Sequence, residues 1–331
     1  MTLWLHGLGH FHPENEITNR FLEELDIGTS DAWILERVGI RSRRTSLPLD
    51  YIRDTRNRDL RAAAEATCYG TAQLGARAAR HAIARAGIDP AQIGLVISGS
   101  SAPDFLSPAD ACNVARELGL EVPAFDVNSA CTSFLAQMHL LFLMDPARVP
   151  DFVLLVAPDS LTKTVDYTDR SAAVLWGDAA AAAVVSTKVR GRARVLDATL
   201  ESRPSGGDKV VVPRTGFFAQ DGRTVQAFAI RQTVATFERL RAAHAREERP
   251  LHFVGHQANL RMLENVCRRC EIAPERHHAN VEWYGNTGAA SSATVLSMAW
   301  EKWQPQDDVV VVGVGAGLTW AGYFLRFGDA P

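Results

Sequence analysis

The chain has 331 residues, 47% of them apolar and 22% charged, with a formal net charge of -3. This size and balance predict a soluble globular protein, built as one large domain or as two halves around a shared core. The slight acidic excess argues against a general nucleic-acid binder. No apolar run reaches the ~20 residues of a membrane helix; the longest, Phe134 to Met144, is interrupted by Gln137 and His139. Residues 1–12 lack the pattern of a secretory leader, so a cytoplasmic protein is expected.

The elements alternate in chain order, which predicts an α/β fold of packed layers. Ala72 to Ala86 reads as a helix with Leu74, Ala79, Ile83 and Ala86 on one face, closed by Gly87 and Pro90. Leu95-Val-Ile-Ser is a short strand. Pro108 to Leu118 reads as a helix with proline in its first turn. Ala124-Phe-Asp-Val is a strand, a helix begins near Cys131, and Phe152-Val-Leu-Leu-Val is a buried strand. In the second half Ala227 to Arg241 is a helix, His252-Phe-Val-Gly a strand and Leu260 to Cys270 a helix. Thr287 to Trp300 reads as one Ala/Ser-rich helix. Asp308 to Val314 and Ala321 to Phe327 form a closing strand pair. Glu201 to Asp221, rich in Pro, Gly and Ser, is the expected long loop. A boundary near residue 185 divides the chain into halves 1–185 and 186–331, the first carrying Cys131 and the second His256 and Asn286.

Five cysteines, an odd and sparse set, fit a reducing compartment. Cys267 and Cys270 form a lone C-x-x-C pair without the two further ligands a zinc site needs. We expect no metal there, but two helix residues, at least one of them packed.

Asp126-Val-Asn-Ser-Ala-Cys131 places a cysteine after a strand and at a helix start. Free N–H groups there favour a thiolate, so the position predicts a lowered thiol pKa and a nucleophile. On this motif alone a packed core cysteine is equally supported. His256-Gln-Ala-Asn259 follows a strand and a glycine, where a cleft opens in an α/β sheet. Tyr284-Gly-Asn286-Thr puts an amide at a third such junction. Three junctions presenting Cys, His and Asn together favour catalysis.

These segments resemble the active-site motifs of the β-ketoacyl carrier-protein synthase III family. So do Thr29-Ser-Asp-Ala-Trp33-Ile, Arg37-Val-Gly-Ile-Arg-Ser-Arg-Arg44, Thr168-Asp-Arg170, Leu175-Trp-Gly-Asp178 and Gly313-Val-Gly-Ala-Gly-Leu-Thr-Trp320. The resemblance implies a five-layered thiolase fold (αβαβα) of two similar halves, a homodimer, and acyltransferase activity in fatty-acid or polyketide-type synthesis. It implies acylation of Cys131, followed by Claisen condensation with a malonyl- or β-ketoacyl thioester. His256 and Asn286 would hold the enolate oxygen, and the Gly315-Ala316-Gly317 loop would help to form a second oxyanion site. A dinucleotide reading of that glycine loop fails, because no βαβ unit can follow so near the chain end.

The resemblance also implies that Trp33 and Arg170 clamp the adenine of coenzyme A, that Asn259 meets substrate, and that Arg261, Arg268 and Arg269 meet an acyl carrier protein. Each has a plainer reading as a packed or solvated side chain. Ala227 stands where a further basic residue is usual. No cofactor is implied beyond the coenzyme A or carrier-protein thioesters. Ser107 replaces a primer-gating phenylalanine, which predicts a medium or long acyl chain unless Phe105 refills the space. Ser133, Ala316 and Gly288 also depart from the pattern and suggest a specialised member. The alternatives are Cys131-dependent acyl transfer to an oxygen or nitrogen acceptor, and a non-catalytic partner subunit.

Overall fold

The computed structural model describes residues 2–328. Its main sheet has ten strands: β1 (Leu3–Phe11), β2 (Ile93–Ser98), β3 (Ala124–Asp126), β4 (Phe152–Asp159), β5 (Ala179–Ser186), β6 (Ala193–Ser202), β7 (Leu251–Gly255), β8 (His277–His278), β9 (Asp308–Gly315) and β10 (Thr319–Phe327). Six helices build the layers: α1 (Thr71–Ala86), α2 (Asp110–Leu118), α3 (Ser133–Leu143), α4 (Gly222–His244), α5 (Leu260–Arg269) and α6 (Ser291–Met298).

The strand order β8-β7-β9-β10-β6-β1-β5-β4-β2-β3 is one pattern written twice. In each half the first strand pairs antiparallel with the last, the last pairs antiparallel with its neighbour, and two parallel pairs complete the row. The halves join where Leu3, Trp4 and Leu5 lie opposite Val195, Arg194 and Ala193. Helices α1 and α2 cover the outer face of the first half, and α4 packs on the outer face of the second with α5 against it. Between the two sheet halves lie α3 and α6, each touching strands of both. The result is the αβαβα stack of a thiolase fold with two similar halves.

Burial explains the strand sequences. Every residue of β4 and β5 is buried, so these strands are continuous apolar runs with no alternation. Helix α3 is buried nearly all round, and its one interior amide, Gln137, donates to the carbonyl of Val156 at 2.9 Å. Gly87 ends α1 in the left-handed region at φ 66.

Three helix boundaries differ from the sequence reading. Helix α2 starts at Asp110, two residues after Pro108, because the Asp126 carboxylate accepts from the N–H groups of Asp110 and Ala111 at 2.8 Å each. Helix α4 runs from Gly222 to His244, capped by Asp221. The span 287–300 is not one helix: a tight turn at Gly288–Ala290 precedes α6, which ends at Met298. The expected long loop contains a small hairpin, Val210–Val211 against Ala219–Gln220. Cys270 is packed and Cys267 half-buried, both with free thiols. No helix among the described residues is long and apolar enough to cross a membrane.

Candidate active site

Cys131 sits on a sharp elbow. After β3 the chain reverses at Ala130, whose φ of 48 lies in the left-handed region that non-glycine residues rarely adopt. Hydroxyls hold the elbow from both sides. Ser133 Oγ donates to Ala130 O at 2.7 Å and accepts from Ser129 N–H at 2.9 Å. Ser129 Oγ, Thr132 Oγ1 and Thr319 Oγ1 form a chain with 2.8 Å steps, tying the elbow to the Gly315-Ala316-Gly317 loop. That loop is the turn between β9 and β10. Gly315 lies over the backbone of the elbow: a Cβ there would stand 3.2 Å from the nitrogens of both Cys131 and Thr132. The Ser133 departure from the family pattern is thus a structural brace.

The expected low thiol pKa is not what the surroundings produce. Burial pushes the Cys131 thiol up to about 12, and the negative charge of Asp159 adds to the effect. Helix α3 begins at Ser133, so Cys131 precedes its first turn, and the helix terminus does not outweigh desolvation. The Cys131 thiol is therefore protonated near pH 7.

His256 follows β7 and is buried. Desolvation drops its pKa to about 4, so the ring is neutral near pH 7. Its Nδ1 lies 2.6 Å from Ser291 Oγ at the start of α6. A hydroxyl both donates and accepts, so Ser291 fixes the ring while permitting either tautomer. Asn286 sits in the turn before α6. Its backbone is strapped to the chain before β5: its N–H donates to Leu175 O at 2.8 Å, and its carbonyl accepts from Gly177 N–H at 3.0 Å. Its side-chain Oδ1 accepts from Gly288 N–H at 3.0 Å, which leaves the amide Nδ2 as the outward group.

Cys131, His256, Asn286, Gly315 and Ala316 line one cavity of about 260 Å³. Trp33 and Asn259 line it too, with Val174, Leu175, Trp176 and Phe228 among the apolar walls. Asn259 also caps α5 through Met262 N–H at 2.8 Å. The Arg170 guanidinium lies over the Trp33 ring, 4.8 Å from its centroid, so a flat ring entering between them must part the pair. Arg261 is engaged by Leu35 O, Glu36 O and Glu264, whereas Arg268 and Arg269 are exposed. Ser107 and Phe105 do not line the cavity; they stand on an exposed segment, with Phe105 57% and Leu106 74% accessible. Sequence reasoning missed Ser291, the hydroxyl chain and Asp159, since none belongs to a motif with its own chemistry. It also missed Arg223 and Arg231, one turn either side of Ala227, which line a surface groove with Arg269.

The comparisons agree with this fold. The 3-oxoacyl-[acyl-carrier-protein] synthase III model matches residues 125–204, and the C-terminal model of the same family matches 240–327. The β-ketoacyl-[acyl-carrier-protein] synthase III of Syntrophomonas wolfei is 34% identical, covering 99% of this chain and 98% of its own. The solved structure of 3-oxoacyl-[acyl-carrier-protein] synthase III from Aquifex aeolicus superposes with a TM-score of 0.86 at 28% identity, over 98% of this chain and all of that one. The priming β-ketosynthase of the R1128 polyketide pathway gives 0.80 at 29% identity, over 99% and 97% of the two chains. The chain belongs to the 3-oxoacyl-[acyl-carrier-protein] synthase III family of acyltransferases.

Proposed function

We propose that this enzyme loads an acyl group onto Cys131 and condenses it with a malonyl-type thioester. The observation that carries the reading is the convergence of Cys131, His256, Asn286 and Gly315 on one cavity. In the first half-reaction neutral His256 takes the thiol proton, the sulfur attacks the acyl thioester, and the departing thiol receives the proton. In the second, loss of carbon dioxide from the malonyl thioester leaves an enolate. Its oxygen is held by His256 Nε2–H and the Asn286 amide. The enolate carbon attacks the acyl carbonyl, whose oxyanion meets the Cys131 N–H beside Gly315. That attack forms the carbon–carbon bond; collapse then re-forms the carbonyl and expels the Cys131 thiolate, which is reprotonated. No cofactor takes part beyond the thioester substrates.

Trp33 and Arg170 support a coenzyme A donor, as a pair able to stack on a flat base. Arg223, Arg231 and Arg269 support an acidic carrier protein at the cavity mouth. Arg223 and Arg231 restore, one turn either side, the charge that Ala227 omits. The exposed edge strand β3, with Phe125 at 39% accessible, and the exposed Phe105 and Leu106 support a homodimer. Ser107, standing where the family has a gating phenylalanine, supports a medium or long acyl chain. We take residues 1–185 and 186–331 as the two halves and the cytoplasm as the compartment.

Intact-protein mass spectrometry tests the reading. Asn286→Ala enzyme given acyl-CoA is expected to carry the acyl mass on Cys131 yet release no β-keto product when malonyl-CoA follows. Undiminished product would favour acyl transfer to a heteroatom. In wild-type enzyme, a panel of acyl-CoA lengths should label best beyond acetyl; labelling by acetyl alone would refute the chain-length assignment.

A further inference from the structure

We propose that Asp159 is a positioning residue of this site: its carboxylate fixes the turn that presents the Asn286 amide on one side and the loop that faces the Cys131 thiol on the other. The inference rests on the reading of Asn286 as an enolate donor. Asp159 ends β4 and is fully buried. Among the described residues its partners are four hydrogen-bond donors and no cation. Oδ1 accepts from Ser100 Oγ at 2.8 Å and Ser101 N–H at 2.6 Å. Oδ2 accepts from Ser101 Oγ at 3.0 Å and Ala289 N–H at 2.6 Å. A buried carboxylate without a cation is costly, and a purely structural post would be better filled by a neutral group.

The two sides meet the chemistry directly. Gly288 and Ala289 are successive residues of the Asn286 turn. The N–H of Gly288 grips Asn286 Oδ1, and the N–H of Ala289 is gripped by Asp159. Asp159 therefore holds the frame from which Asn286 Nδ2 projects. Gly288 records the same fit: at φ +57, an ideal Cβ there would lie 2.1 Å from Asp159 Oδ2. The carboxylate occupies the space that a side chain at 288 would need. On the other side the Ser101 hydroxyl, held by Oδ2, faces the Cys131 sulfur, and the charge of Asp159 reaches that sulfur.

In Asp159→Asn an amide N–H₂ must face an N–H donor, so one anchor is lost along with the charge. With octanoyl-CoA as donor, Cys131 acylation is expected to stay within about threefold of wild type, while condensation with malonyl-CoA falls by about 10- to 100-fold. Iodoacetamide alkylation of Cys131 at fixed pH is expected to quicken by at least about threefold, since a neighbouring negative charge is gone. A loosened fold would not produce that split and acceleration together. Condensation within twofold of wild type, or unchanged alkylation, overturns the proposal. Ser101→Ala is the second variant, should Asp159→Asn not fold. It keeps the charge but removes the hydroxyl that donates to Asp159 Oδ2, so condensation should fall by more than twofold while Cys131 acylation is kept; condensation within twofold of wild type overturns the proposal. Asn286→Ala separates the two ideas: normal condensation there defeats the reading of Asn286, while the alkylation results still decide the link from Asp159 to Cys131.

Discussion

Burial makes Cys131 an unreactive thiol until substrate arrives, and its alkylation rate measures this. The thiol is pushed from 9.0 to about 12. At pH 8 its thiolate fraction is then about 10⁻⁴, against about 10⁻¹ for an unperturbed thiol, a penalty of about 4 kcal/mol. Because Cys131 is only 9% accessible, solvent screening removes little of this. The sign is set by desolvation, which raises an acid's pKa, so alkylation should rise tenfold per pH unit from pH 7 to 10 without a plateau. Site-resolved peptide mass spectrometry after timed iodoacetamide exposure follows Cys131 alone, with the exposed Cys68 and Cys112 as references in the same tube. A Cys131 profile that levels off below pH 9 would refute the desolvation argument and restore the helix-terminus expectation.

Two further outcomes follow from packing. Gly315→Ala places a methyl 3.2 Å from the Cys131 and Thr132 nitrogens; it should reduce condensation by about 10²- to 10³-fold while leaving the fold intact by circular dichroism. Arg43 is fully buried and donates to Asn19 Oδ1 and to the carbonyl of Val174, beside the segment that straps Asn286. Arg43→Ala should cost about 3–5 kcal/mol in chemical denaturation, because those acceptors lose a charged donor inside the core.

The architecture was legible wherever a local rule fixes a residue's role. Strand and helix order followed from apolar runs and breakers, and Gly87 marked a helix end correctly. The convergence of Cys131 and His256 was readable because each follows a strand at a chain reversal, where an α/β sheet opens a cleft; Asn286, expected at a third such junction, instead follows a short helix, Val281–Tyr284, and was legible from its motif alone. What stayed hidden depends on partners distant in sequence. Asp126 caps α2 from the strand after it, so the proline alone misplaced that helix start. The thiol pKa was misjudged in sign because a helix start is visible in the sequence, whereas burial beside Asp159 is not. Ser291 and Asp159 read as an ordinary helix residue and a strand end until folding brings them to the site. Ala227 suggested a lost charge, although Arg223 and Arg231 lie on the same helix face one turn away. Position-by-position matching does not register that exchange.

The central claim is that one thiol holds the acyl group and then loses it to carbon. Octanoyl-CoA labelled at its carbonyl, followed by malonyl-CoA, tests it in a single time course of intact-protein and product mass spectrometry. The expected course is one acyl mass on Cys131, then its loss in step with carbon dioxide release and a β-keto product carrying the label. An acyl mass on another residue, or a label leaving Cys131 as an ester, amide or free acid, would contradict the account.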